Sequence, residues 1–241
     1  MTSPKVTEDA IASSQLQHGR WYADACGTAF AMELVGERWS LLIIRELMLG
    51  GRRFSDLRAS LPGISAKVLT ERLASLEAAG VLVKRRLAPP AATQVYELTE
   101  WGYLAEPAIQ ELGRWAAHSP AHDPRLPLTP VSFMLSLRTM IDHEAARRFE
   151  TSVGFTVAGE SFLAELSGGA MPVRRAEPGE GEIGFAAEIA LPLLRVFYSK
   201  EDPQVIAQSG ALAVRGDLAL VRRFVTLFAL PPKVAPPPAS G

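Results

Sequence analysis

The chain contains a single cysteine, Cys26, and has neither a large net charge nor a long apolar run. One cysteine excludes a disulfide within the chain, which fits a reducing compartment. No apolar stretch approaches the roughly 18 residues that a membrane-spanning helix needs. The N-terminal sequence MTSPKVTEDAIASS carries acids where a signal peptide has an apolar segment. We therefore expect a cytoplasmic protein that does not bind membranes.

The sequence also lacks the usual marks of an enzyme or a metalloprotein. Its four histidines are scattered, and Pro120 breaks the helix that would align His118 with His122 as a metal-binding pair. No glycine-rich phosphate loop and no nucleophile elbow is present. We expect no enzymatic activity, no metal site and no cofactor.

Charge is unevenly distributed along the chain. The formal net charge of −1 over 241 residues gives no indication of nucleic-acid binding. Residues 52–86, however, contain eight basic and three acidic side chains. A local positive field of this kind is expected of a phosphate-binding surface, although it also occurs on surfaces that bind nothing.

Changes in composition along the chain predict five segments. Residues 1–20 are polar and should be flexible, and the proline-rich residues 231–241 should form a disordered tail. Residues 21–118 are mostly helical in pattern, and 119–129 have the composition of a linker. Residues 130–230 form a second unit, and the overall prediction is an α+β protein of two domains.

The first domain shows a helix, a short helix, a tight turn, a third helix and a β-hairpin. The third helix should begin at Ser65, a favourable N-cap residue, and should end at Gly80. Leu69, Leu73 and Leu76 follow helical spacing and predict one buried stripe. VLVKRR and TQVYEL are then the strands of a hairpin. This order predicts a winged helix-turn-helix, in which the opposite face of the third helix enters a major groove about 12 Å wide.

Local signals also predict how two other helices begin. The short helix in RRFSDLRASLPG should be capped by Ser55 or by nearby backbone. A further helix should start after Thr99, run through EWGYLAEPAIQELGRWAAH and bend at Pro107.

The segments GERWSLLIIREL, RRFSDLRASLPGIS, LTERLASLEAAGVLVKR and YELTEWG resemble those of the HxlR-type winged helix-turn-helix transcriptional regulators. The resemblance covers about residues 26–116. It implies a homodimer that binds near-palindromic operators, with the helix after Pro107 in the dimer interface. The chain departs from the family pattern in the wing loop LAPPAA, which lacks an arginine, and at Gly27-Thr28, where Pro-Val is usual.

Ten residues of this domain are predicted to contact double-stranded DNA. Lys67 and Thr70 should read base edges, while the arginines around the motif should bind phosphates. The full set comprises Arg52, Arg53, Ser65, Lys67, Thr70, Glu71, Arg72, Arg85, Arg86 and Gln94. For Arg72 an ion pair with a nearby acid is an equally open alternative.

Cys26 is a candidate redox residue because the resemblance implies that some family members sense oxidants or electrophiles through it. A reactive thiol needs exposure and a lowered pKa, and the helix that begins near Thr28 would help to lower the pKa. The alternative is a half-buried structural cysteine.

The second domain has strand-like alternation at 153–157, 162–166 and 183–187, with apolar helices on either side. SGALAVRGDLALVRRFVTLF indicates a strand, a Gly-Asp turn and a closing helix. The pattern, over about residues 130–230, resembles the sterol-carrier-protein-like domain and implies a tunnel for an apolar ligand. Its predicted lining is Phe133, Leu137, Phe155, Phe162, Phe185, Leu194, Phe197, Phe224 and Phe228. Since a pocket wall and a core look alike in sequence, plain core residues are the alternative.

The sequence therefore predicts a homodimeric DNA-binding transcriptional regulator, most simply a repressor. The second domain would bind a hydrophobic small molecule that controls it, or would serve as an extra dimerisation surface. One alternative is a lipid carrier whose DNA-binding domain is vestigial. Another is a regulator that senses redox state through Cys26.

Overall fold

The computed structural model describes Tyr22 and residues 24–88 and 92–235. These residues form a mixed α+β structure with two compact units. The first unit comprises the residues up to 47 together with 51–103, and the second comprises 48–50 and the residues from 104 onward. The predicted flexible segment 1–20, the centre of the wing loop (89–91) and residues 236–241 lie outside the description.

The first unit is a helical domain with a two-stranded antiparallel hairpin. Its elements are α1 (Gly27–Val35), α2 (Ser40–Leu47), α3 (Phe54–Ser60), α4 (Ala66–Ala78), β1 (Leu82–Arg86), β2 (Gln94–Leu98) and α5 (Glu100–Tyr103). The backbones of Arg52 and Tyr96 exchange hydrogen bonds of 2.9 and 2.8 Å, which adds a third extended segment to the hairpin. The predicted winged helix-turn-helix order is confirmed.

Helix α4 has the boundaries and the buried face that the sequence predicts. The Ser65 side chain accepts a hydrogen bond of 3.2 Å from the Val68 backbone N–H. Leu69, Leu73 and Leu76 are buried. Gly80 follows the helix with a φ of +74°, a left-handed conformation that glycine adopts without steric cost.

Two predictions about helices require correction. Helix α3 begins after Arg53, whose backbone N–H donates to the Asp56 carboxylate at 3.3 Å, so Ser55 is not its N-cap. Thr99 does accept from the Gly102 N–H at 3.0 Å, but α5 is short, and Pro107 lies in the first turn of a separate helix. Proline is tolerated there because a first-turn N–H has no partner within the helix.

The second unit contains a five-stranded sheet in the order β5-β4-β3-β6-β7. Strands β3 and β6 are parallel and the other neighbours are antiparallel. The elements are α6 (Glu106–Ala117), α7 (Pro130–Met140), α8 (His143–Ala146), β3 (Thr151–Val157), β4 (Glu160–Leu166), β5 (Val173–Arg175), β6 (Ile183–Ala187), α9 (Leu191–Phe197), α10 (Pro203–Gln208), β7 (Ala213–Arg215) and α11 (Leu218–Val225). Helix α6 thus belongs to this unit, although the predicted boundary lay at residue 118.

Phenylalanine rings fill the space between the sheet and helices α7, α9 and α11. Phe155 and Phe185 stack on neighbouring strands with centroids 5.4 Å apart. Phe197 of α9 contacts Phe185 edge-to-face at 5.1 Å, and Phe224 of α11 contacts Phe197 at 6.0 Å. Each such pair adds about 0.5–1.5 kcal/mol beyond the burial of its apolar area.

The nine predicted ligand-lining residues therefore form the packed core of the second unit. All nine are at most 5% exposed. Six of the phenylalanine rings contact one another, as in the pairs Phe133–Phe197 and Phe197–Phe228. A cleft of about 90 Å³ borders Leu194, and one of about 200 Å³ borders Phe185. Both are smaller than the roughly 300 Å³ typical of ligand pockets. The tunnel for an apolar ligand stays a prediction.

The predicted tail is ordered over its first residues. The Val234 N–H donates to the carbonyl of His118 at 2.9 Å, and the Lys233 ammonium donates to the carbonyls of Ala117 and His122 at 2.9 and 3.0 Å. A cation beside the last carbonyls of α6 interacts favourably with the negative end of the helix dipole. Burial and the Lys233 charge lower the pKa of His122. The prediction of disorder is therefore wrong for residues 231–235.

Candidate nucleic-acid interface

The face of α4 opposite its leucine stripe is exposed and polar. Lys67 is 85% exposed and lies 3.9 Å from the Glu71 carboxylate, one helical turn further on. The Thr70 hydroxyl donates to the Ala66 carbonyl at 2.9 Å, so it presents its methyl group and a lone pair outward. The leucine stripe holds the helix in place, and this face is left available to a ligand.

Arg52 does not belong to this surface. Its side chain is 8% exposed, and its guanidinium lies 3.6 Å from the carboxylate of Glu46, which is fully buried. Arg45 donates to the same carboxylate at 2.8 Å. A guanidinium held inside the fold cannot reach a phosphate without disrupting this cluster, so we remove Arg52 from the predicted contacts.

Arg72 also has a protein partner. Its guanidinium lies 3.4 Å from the Glu37 carboxylate, and its side chain is about one fifth exposed. The open alternative for this residue is thus answered in favour of an ion pair. Arg53, just before α3, and Ser65, just before α4, are exposed.

The register of the hairpin separates the predicted wing contacts into two groups. Side chains alternate between the faces of a strand, so Arg86 and Gln94, which are register partners, share a face with Lys84. Arg85 lies on the other face, where its guanidinium is 3.0 Å from the Glu97 carboxylate. Arg86 and Gln94 are both exposed.

Lys84 was not among the predicted contacts, although it has the most specific interactions of the wing cations. Its ammonium donates to the Glu77 carboxylate of α4 at 2.7 Å and lies 5.8 Å from the centre of the Tyr96 ring. The hydrogen bond to Glu77 is the main reason that the pKa of Lys84 is raised. The only signal in the sequence was a pair of opposite charges seven residues apart.

Cys26 is exposed and lies immediately before α1. Hydrogen bonds from the backbone N–H groups of Ala29 and Thr28 lower the pKa of its thiol. Within the described part of the chain, no cluster of three or more histidine, cysteine, aspartate or glutamate residues is arranged to hold a metal ion. None of the described helices has the length and apolar character needed to cross a membrane.

Comparison with known proteins assigns the winged helix-turn-helix region to a family. Residues 34–123 match the HxlR-like helix-turn-helix family. The HTH-type transcriptional regulator YvaP of Bacillus subtilis is 40% identical over 87 residues, which are 36% of this chain and 80% of YvaP. This chain belongs to the HxlR-like helix-turn-helix family. As in these relatives, the winged helix-turn-helix is that of a DNA-binding transcriptional regulator.

Other relatives match a similar share of the chain. The HTH-type transcriptional regulator YodB of Bacillus subtilis is 41% identical over 87 residues, covering 36% of this chain and 77% of YodB. The solved reduced form of YodB is 34% identical, covers 42% of this chain and all of that chain, and has a TM-score of 0.37.

Proposed function

We propose that this HxlR-like protein is a homodimeric repressor that places α4 in the major groove of its operator. The observation that carries the proposal is the exposed polar face of α4, which lies opposite a fully buried leucine stripe. Lys67, Thr70 and Glu71 are the residues on this face that can read base edges. Arg53 and Arg86 supply exposed cations for the phosphates on either side.

An exposed apolar stripe on α6 supports the homodimer. Leu112 and Trp115 are 46% and 74% exposed, and Ala108 lies one turn before Leu112 on the same side of the helix. Leu104, just before the helix, is 75% exposed. Large apolar residues in such a row indicate an interaction surface, and a second copy of α6 is self-complementary to it in a two-fold dimer.

We expect Lys67→Ala to weaken operator binding about tenfold, because a base-edge contact by a side chain contributes about 1–3 kcal/mol. The operator is first obtained by genomic footprinting, and affinities are then measured by fluorescence anisotropy at several salt concentrations. Arg148→Ala, which removes an exposed cation from the second unit, is the matched control. Unchanged affinity together with an unchanged salt dependence would exclude a contact by Lys67.

The same experiment distinguishes the repressor from the alternative function, a lipid carrier. A carrier with a vestigial DNA-binding domain would bind no operator with salt-dependent affinity, yet would take up a fluorescent fatty acid. The packed core of the second unit favours the repressor, and a regulating apolar ligand forms no part of the proposal.

A thiol switch is the second candidate function, because Cys26 is exposed and its pKa is lowered. With one cysteine per chain, any disulfide must join Cys26 to a second copy or to a small thiol. We expect diamide to change operator affinity severalfold in the wild type, to be reversed by dithiothreitol, and to leave Cys26→Ser unaffected. Equal wild-type affinity before and after treatment would refute the switch.

A further inference from the structure

Lys84 joins the hairpin to α4 through an ion pair that neutralises its charge. Its ammonium donates to Glu77 in the last turns of α4, across seven residues of chain. The same side chain lies over the ring of Tyr96, its register partner on β2. One side chain therefore contacts α4 and both strands of the hairpin.

The face of the hairpin that carries Lys84 is buried near the base of the hairpin. Leu82 and its register partner Leu98 are fully or almost fully buried on this face, and Tyr96 is 9% exposed. Further toward the tip, Arg86 and Gln94 continue the same face and are exposed. They consequently project on the side of the hairpin that faces α4.

We propose that Lys84 is a positioning residue that, with Glu77, holds the wing against α4 so that Arg86 binds the DNA backbone beside the groove read by α4. This inference rests on the proposed function of α4. Arg85 takes no part in the arrangement, because it lies on the opposite face with Glu97.

A direct phosphate contact by Lys84 is the competing explanation, and the two predict opposite signs for one variant. If Lys84 binds phosphate, removing Glu77 frees the ammonium and removes a negative charge close to DNA, so affinity rises. If Lys84 positions the wing, removing Glu77 releases the hairpin and affinity falls. Glu77→Ala is suitable because alanine is the best helix former and the acid lies at the negative end of α4.

The test measures operator affinity and its salt dependence for Glu77→Ala, Lys84→Met and the double variant, with Glu97→Gln as the control on the other face. We expect each single variant to bind two- to fivefold more weakly and the double variant to bind no more weakly than either. The slope of log affinity against log salt is expected to become less negative by about one in all three variants, and likewise in Arg86→Ala, because one phosphate contact is lost. Lys84→Arg, which preserves the link to Glu77, should restore wild-type values.

A second measurement does not depend on DNA. Amide hydrogen exchange of β1 and β2 should be faster in Glu77→Ala and Lys84→Met than in the wild type or Glu97→Gln. Unchanged or tighter operator binding by Glu77→Ala would overturn the positioning role. Failure of the proposed function would look different, because the wild-type protein would then show no salt-dependent binding to any operator.

Discussion

Replacing Glu46 with alanine is expected to lower the free energy of unfolding by about 3–5 kcal/mol, the usual cost of removing one partner from a buried ion pair. The Glu46 carboxylate is fully buried, and it lies 2.8 Å from Arg45 and 3.6 Å from Arg52. When the Glu46 carboxylate is removed, the buried guanidinium of Arg52 loses this neighbouring negative charge. Urea denaturation followed by circular dichroism would measure the change.

Two further variants show whether burial causes the loss. Glu71→Ala removes a carboxylate that is about half exposed and 3.9 Å from Lys67, so it should cost less than about 1 kcal/mol. The double variant Glu46→Leu with Arg52→Met removes the buried carboxylate and the buried guanidinium, leaves the partly exposed Arg45, and should recover more than half of the loss. Equal effects of Glu46→Ala and Glu71→Ala would contradict this explanation.

Replacing Trp115 with arginine is expected to convert the proposed dimer into monomers at micromolar concentration. The new guanidinium would be desolvated in an apolar interface. A monomer engages one half-site of an operator instead of two, so affinity should fall at least about 100-fold through the loss of avidity. Sedimentation velocity and operator titration measure the two effects.

The exposure of Trp115 makes this variant easy to interpret. Its side chain is 74% exposed in the single chain, so the folded monomer should keep its stability. Val205→Arg, which replaces an exposed apolar residue of α10 and adds the same charge, is the matched control. A Trp115→Arg protein that sediments as a dimer would place the dimer interface elsewhere.

The predictions that the structure confirms depend on neighbours in the sequence. The cap at Ser65, the leucine stripe of α4 and the left-handed Gly80 are determined within about one helical turn. The alternating strands of the second unit follow from the same local logic, because a period of two places one face in the core.

The corrections concern residues whose environment is formed by distant parts of the chain. In the sequence Arg52 cannot be told apart from the neighbouring Arg53, but in the structure Arg52 is buried beside the carboxylate of Glu46 on α2. The phenylalanines had the pattern of a pocket wall, and only the packing of three helices on the sheet showed that their rings fill the space. Lys233 belongs to the segment predicted to be a disordered tail, but its ammonium donates a hydrogen bond to the carbonyl of Ala117 at the end of α6.

The sequence by itself determined a winged helix-turn-helix followed by an α+β domain, and it determined which face of α4 is polar. Only the tertiary structure decided which of the cations near α4 are available to DNA. An exposed arginine and a buried arginine are the same residue in the sequence, and two neighbouring residues of a strand point to opposite faces. The difference between Arg52 and Arg53, or between Arg85 and Arg86, is therefore set by the carboxylates that folding brings beside them.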